Sequence, residues 1–186
     1  MTPVQEMCNA VTMFLPTMVF CYHTIHHWPH PWLVSLLLGS LIHLPASVSY
    51  HLLSAFEGKE RHVNLRRLDQ TMIHISGTLF AFALSKGSMF YTTIHLCYAA
   101  CAVQRIWRHR RERHWGRVAV SVFIWLWPMI GRWEYVFTAV SFYVGGVCFI
   151  PWVNKLCLSG WGHTLFHVGV ALAARGMCVF LINTAR

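Results

Sequence analysis

The chain has 186 residues, of which 56% are hydrophobic and only 11% are charged, and its mean hydropathy is +0.47. Few water-soluble domains have this composition. The formal charge of +9 comes from basic residues in short gaps between apolar runs, a pattern that sets orientation in a membrane and excludes nucleic acid as the partner.

Apolar segments in chain order predict an all-α fold, a seven-transmembrane helix bundle. A span needs about 20 mostly apolar residues, so residues 1–186 form a single membrane domain and leave no room for a soluble domain. Pro16, Pro128 and Pro151 lie within or near spans, where membrane helices tolerate kinks. The predicted spans are 7–24, 32–56, 68–85, 88–107, 117–131, 133–154 and 161–183.

Loop charge predicts the orientation of this bundle. Eleven basic residues lie on one side and three on the other, so the basic side faces the cytosol, or the matrix in a mitochondrion. With seven spans, the N-terminus lies on that side. The organelle stays open between the endomembranes, the plasma membrane and the mitochondrial inner membrane. The eleven are Lys59, Arg61, Arg66, Arg67, Arg105, Arg108, Arg110, Arg111, Arg113, Arg117 and Lys155, and the three are Lys86, Arg132 and Arg186.

Three polar motifs interrupt the apolar segments, where ionisable groups are costly. The second span ends with Ser47-Val-Ser-Tyr-His51, the third opens with Asp69, and the seventh opens with His163-Thr-Leu-Phe-His167. The predicted topology puts all three motifs at a similar depth near the basic face. We therefore expect their side chains to converge.

These residue types suit a catalytic zinc site. His163 and His167 are four residues apart, so they lie one turn apart on one helix face, and His51 supplies a third ligand. Three protein ligands with an open fourth position are typical of catalytic zinc. Asp69 is the candidate general base for the zinc-bound water, and Ser47 the candidate oxyanion donor or orienting group.

Simpler interpretations of the same residues stay open. An intramembrane histidine often only hydrogen-bonds a neighbouring helix, and Asp69 could pair with Arg66 or Arg67. His74 is a further candidate neighbour of the site. Imidazole ligands also bind divalent ions other than zinc.

The motifs resemble those of known membrane proteins. Pro-Ala-Ser47-Val-Ser-Tyr-His51, Leu65-Arg-Arg-Leu-Asp69 and Gly162-His-Thr-Leu-Phe-His-Val168 look like the signatures of the hemolysin III and progestin/adipoQ receptor families, which form a superfamily with the alkaline ceramidases. This resemblance implies a seven-helix bundle with Zn²⁺ held by the three histidines. It also implies Asp69 near the zinc-bound water and Ser47 beside it.

The sequence thus predicts a zinc-dependent integral membrane hydrolase that acts on a lipid amide or ester from within the bilayer. Its partners would be membrane lipids, one of them the substrate. Two alternatives stay open. One is a receptor or sensor that binds a lipid ligand and holds zinc structurally. The other is a structural subunit of a larger membrane complex, a mitochondrial one included, with other membrane proteins as partners.

Overall fold

The computed structural model describes residues 1–108 and 115–185, and these residues form helices and no β-strand. The all-α prediction is confirmed.

Four basic residues used to predict the orientation, Arg110, Arg111, Arg113 and Arg186, lie outside the described residues. The α-helices are α1 (Pro3–Thr12), α2 (Phe14–His26), α3 (Pro31–Glu57), α4 (Val63–Leu84), α5 (Met89–Arg108), α6 (Trp115–Leu126), α7 (Trp133–Cys148), α8 (Pro151–Leu156) and α9 (Gly162–Thr184).

Helices occupy each of the seven predicted spans, but prolines divide two of them. The first span breaks after Thr12 into α1 and α2, because Pro16 lacks the N–H that would bond the Thr12 carbonyl. The sixth breaks before Pro151 into α7 and α8, and the Val147 carbonyl accepts a tighter bond from the N–H of Ile150 at 3.0 Å instead. The kinks predicted at Pro16 and Pro151 are therefore breaks in the helices, and at Pro128 helix α6 gives way to a 3₁₀ turn over Trp127–Met129.

The helices pack so that the first two contact the last one. Helices α1 and α2 contact both α3 and α9, α3 packs on α4, and α4 packs on α5 and α6. Helix α9 packs on α7 through glycines: a Cβ on Gly169 would lie 2.7 Å from the Ser141 carbonyl oxygen, and one on Gly162 would overlap that of Cys148. The beginning of α9 is thereby held against the end of α7.

Many large apolar side chains lie on the outer surface of the protein, whereas several ionisable side chains lie in its interior. Val11, Ile25 and Val136 are 65%, 68% and 59% exposed, whereas Glu6 and His95 are 1% and 0% exposed. Two helices, α3 and α9, are long and apolar enough to cross a membrane. The site motifs of the second and seventh predicted spans lie on these two helices.

Candidate metal centre

His163 and His167 lie on the first two turns of α9, as the four-residue spacing predicts. Their ring centroids are 4.6 Å apart. His167 is 3% exposed, and the His163 ring packs edge-on against Phe149 with centroids 4.4 Å apart. Both imidazoles therefore face the interior of the bundle from one side of α9.

His51 reaches the same point from the last two turns of α3. Its ring centroid lies 4.7 Å from that of His163 and 5.9 Å from that of His167. One ring nitrogen from each of the three histidines lies within 4.8 Å of the other two, close enough for a single metal ion. We call His51, His163 and His167 the histidine triad.

Hydrogen bonding leaves one nitrogen of His51 suited to a metal. Its Nδ1 bonds Oε2 of Glu6 at 2.7 Å. Its Nε2 is buried and has no hydrogen-bond partner among the residues the structure describes. A buried polar atom without a partner is uncommon and needs an explanation. A metal ion bound to Nε2 would explain this atom, because a histidine that binds a metal commonly hydrogen-bonds a carboxylate through its other ring nitrogen. The donor set, three imidazoles, suits zinc.

His167, like His51, has a hydrogen-bond partner at Nδ1 of its ring. Its Nδ1 lies 2.9 Å from Oγ1 of Thr12, on α1. A hydrogen bond at Nδ1 leaves Nε2 as the ring nitrogen for an ion. Two of the three triad histidines are thus held at Nδ1 by side chains of α1.

Asp69 and Ser47 lie beside the triad and interact with each other. Asp69, on the second turn of α4, accepts a hydrogen bond from Nε2 of His43 at 2.9 Å, and its carboxylate interacts with the Ser47 hydroxyl. The side chains of His43 and Asp69 are 18% and 13% exposed. Asp69 therefore interacts with a histidine and a serine of α3.

A cavity of about 130 Å³ joins these groups. Its polar lining residues come from α3, α4 and α9: Ser40, His43, Ser47, Asp69, Ser76, His163 and His167. The rest of its wall is mainly apolar and aromatic. The apolar lining residues are Met13, Pro16, Phe20, Ile73, Phe80, Val118, Val122, Trp125, Phe142, Phe166, Val170, Ala173 and Met177.

Three residues of the site were not singled out from the sequence: Glu6, Thr12 and His43. Glu6 is one of only six acidic residues in the chain and directly precedes the first predicted span, which was an available signal. His74, a candidate neighbour of the site, instead bonds Oγ of Ser121 at 3.3 Å.

Comparisons with known proteins add no assignment. No protein-family model, no curated protein and no solved structure matches the chain. The resemblance of its motifs to the hemolysin III and progestin/adipoQ receptor families therefore stays a prediction.

Proposed function

We propose that the chain crosses the bilayer seven times, with its N-terminus on the cytosolic or matrix side. The distribution of polarity supports this proposal. Hydrocarbon favours apolar side chains on the outer surface, and it makes polar groups costly unless they find partners inside the protein. Val11 and Ile25 lie outside and Glu6 inside, as this environment requires.

We further propose that the protein is a zinc-dependent hydrolase of a lipid amide or ester. The observation that carries this proposal is the buried Nε2 of His51, which lacks a hydrogen-bond partner within the described part of the chain. It belongs to a triad beside a cavity that Asp69 and Ser47 also line.

The chain's own groups suit hydrolysis of an acyl bond. When bound, zinc supplies Lewis acidity that activates water and polarises a carbonyl group. Asp69 accepts the proton of the attacking water and passes it to the departing amine or alcohol. The water oxygen bonds the carbonyl carbon, the C–N or C–O bond breaks, and a fatty acid leaves. Ser47 stabilises the oxyanion or orients the carboxylate.

The apolar part of the cavity supports a lipid as the substrate. Phe20, Phe80, Trp125 and Phe142 belong to this part of the wall. An acyl chain placed along the apolar wall would bring its carbonyl carbon to Asp69. The same wall would make a small polar substrate a poor fit, because the aromatic side chains offer few hydrogen bonds.

Turnover of defined lipids tests the function. Wild-type protein, purified in mild detergent and checked for zinc, is incubated with a fluorescent N-acyl sphingosine and with a glycerol ester of the same acyl chain. We expect release of the labelled fatty acid from one of them. Asp69→Ala should keep its zinc but lose turnover by roughly 10²–10⁴-fold, the usual contribution of a general base.

A matched control is Glu134→Gln. Glu134 is fully buried and bonded to Asn183 at the other end of α9, so turnover should not change. Hydrolysis by Asp69→Ala at the wild-type rate would overturn the mechanism. Saturable lipid binding without turnover would instead favour a receptor with structural zinc. Stable co-purification of an inactive chain with other membrane proteins would favour a structural subunit.

A further inference from the structure

Helix α1 has its polar face buried and its apolar face exposed. Val4 and Val11 are 62% and 65% exposed, whereas Gln5, Glu6 and Asn9 are 6%, 1% and 0% exposed. Burying a polar helix face is costly unless its groups find partners. The polar side chains of this face should therefore have hydrogen-bond partners on neighbouring helices.

The buried face of α1 is bonded to the start of α9 and to the turn that precedes it. Nε2 of Gln5 donates to the carbonyl oxygen of Ser159 at 2.8 Å. Oγ1 of Thr164 donates to Oδ1 of Asn9 at 2.8 Å. Thr164 lies between His163 and His167 in the chain, so these bonds set the height and rotation of α1 against the turns that carry the triad.

Glu6 sets the tautomer of His51. An ionised carboxylate only accepts hydrogen bonds, so an ionised Glu6, whose Oε2 lies 2.7 Å from Nδ1 of His51, accepts the proton that the neutral ring carries on Nδ1. The neutral ring then carries its lone pair on Nε2, the nitrogen that has no hydrogen-bond partner in residues 1–108 and 115–185. Glu6 thus orients a metal-ligating lone pair.

Thr12 sets the tautomer of His167 by another route. A threonine hydroxyl has one proton to donate, and Oγ1 of Thr12 lies 2.8 Å from the carbonyl oxygen of Cys8 and 3.2 Å from that of Asn9. With its proton on either carbonyl, the same oxygen accepts from Nδ1 of His167, 2.9 Å away. His167 therefore carries its proton on Nδ1 and its lone pair on Nε2, as His51 does.

We propose that α1 is part of the metal centre, with Glu6 and Thr12 as positioning residues that hold His51 and His167 as Nδ1–H tautomers with Nε2 towards the ion. This inference rests on the zinc site of the proposed function but not on hydrolysis. Side chains that hold the ligands of a metal typically contribute about 10–100-fold to its affinity. The effect should therefore appear in metal binding itself.

Zinc affinity, measured by competition with a chromophoric chelator, tests the proposal on the full chain. We expect Thr12→Val and Glu6→Gln each to weaken zinc binding by about 10–100-fold, and Thr12→Ser, which keeps the hydroxyl, to restore the wild-type value. The matched controls are Thr138→Val and Glu134→Gln. Both side chains are fully buried in α7, far from the triad, so these two variants should bind zinc as the wild type does.

A second measurement does not need the variants to fold. Nitrogen-15 spectra of the histidine rings in zinc-free wild-type protein should show the Nδ1–H tautomer at His51 and His167. The Nε2–H tautomer at both positions would overturn the proposal, and so would wild-type zinc affinity in both α1 variants. If zinc binding requires Glu6 and Thr12 but no lipid is hydrolysed, the role of α1 is supported and the proposed hydrolase function is contradicted. A wild type that binds no zinc would overturn both.

Discussion

The triad and a second group of buried histidines differ in one respect. His74 and His95, which we call the hydroxyl-bound pair, are 1% and 0% exposed, about as deeply buried as His51. Both nitrogens of His95 have partners, Oγ1 of Thr78 at 3.0 Å and Oγ of Ser121 at 2.9 Å. Nε2 of His51 has none within the described residues. Burial therefore does not distinguish His51 from His95, whereas the hydrogen bonding of their ring nitrogens does.

The surroundings of the two groups explain this difference. A Cβ on Gly77 would lie 2.7 Å from Cε1 of His95, so α4 and α5 close tightly on the hydroxyl-bound pair. His163 and His167 line a cavity instead. Close packing leaves no room for an ion beside His95. The cavity beside the triad leaves space on one side of its imidazoles.

The largest expected effect is the loss of metal. His163→Ala/His167→Ala should reduce zinc from about one ion per chain to none, because one imidazole cannot replace a set of three ligands. His74→Ala/His95→Ala should keep its zinc. Elemental mass spectrometry of purified protein measures both. Equal zinc content in the two double variants would contradict the prediction that the histidine triad binds zinc and the hydroxyl-bound pair does not.

A smaller effect is expected at His43, which extends the site beyond the triad. His43→Leu removes the 2.9 Å hydrogen bond to Asp69 and should slow lipid turnover by roughly 10–150-fold, since a hydrogen bond to a charged group contributes about 1.5–3 kcal/mol and about 1.36 kcal/mol corresponds to tenfold in rate. His43→Gln, which keeps a donor, should recover part of the rate. Zinc content should stay unchanged in both.

Lipid turnover by His43→Leu at the wild-type rate would contradict this prediction. In that case Asp69 would not depend on its histidine partner. His95→Gln is the matched control, because it alters a histidine whose partners are hydroxyl groups outside the cavity lining.

Gly77→Ala should affect stability and not function. The added Cβ would lie 2.7 Å and 2.9 Å from two ring atoms of His95, and overpacking of this kind costs about 1–3 kcal/mol. Thermal unfolding in detergent measures the change. Gly146→Ala is the control, because a Cβ there meets no atom within 4 Å. A loss of zinc in Gly77→Ala would show that the two groups are coupled.

Ser121→Ala should have the smallest effect. It removes a hydroxyl that both His74 and His95 contact, and interhelical hydrogen bonds in membranes contribute about 0.6 kcal/mol on average. We expect a small fall in unfolding temperature with zinc content and turnover unchanged. A fall in turnover would give the hydroxyl-bound pair a functional role.

Local patterns in the sequence were sufficient for the helices and for part of the site. Apolar periodicity predicts all-α structure, and the four-residue spacing places His163 and His167 on one face, because both follow from the 3.6-residue repeat. The positions of Pro16 and Pro151 indicated kinks. That these kinks are breaks depends on neighbouring contacts, since a helix can also continue through proline with its freed carbonyl satisfied elsewhere.

The remaining parts of the site depend on how the helices pack. Glu6 and His51 are 45 residues apart, and Thr12 and His167 are 155 apart, so no short-range pattern relates them. Their contacts require a particular rotation and height of α1 against α3 and α9. Glycines that allow α9 to approach α7, and polar bonds between α1 and α9, set that geometry. The sequence could therefore predict which imidazoles converge, but only the packed helices determine which groups hold them.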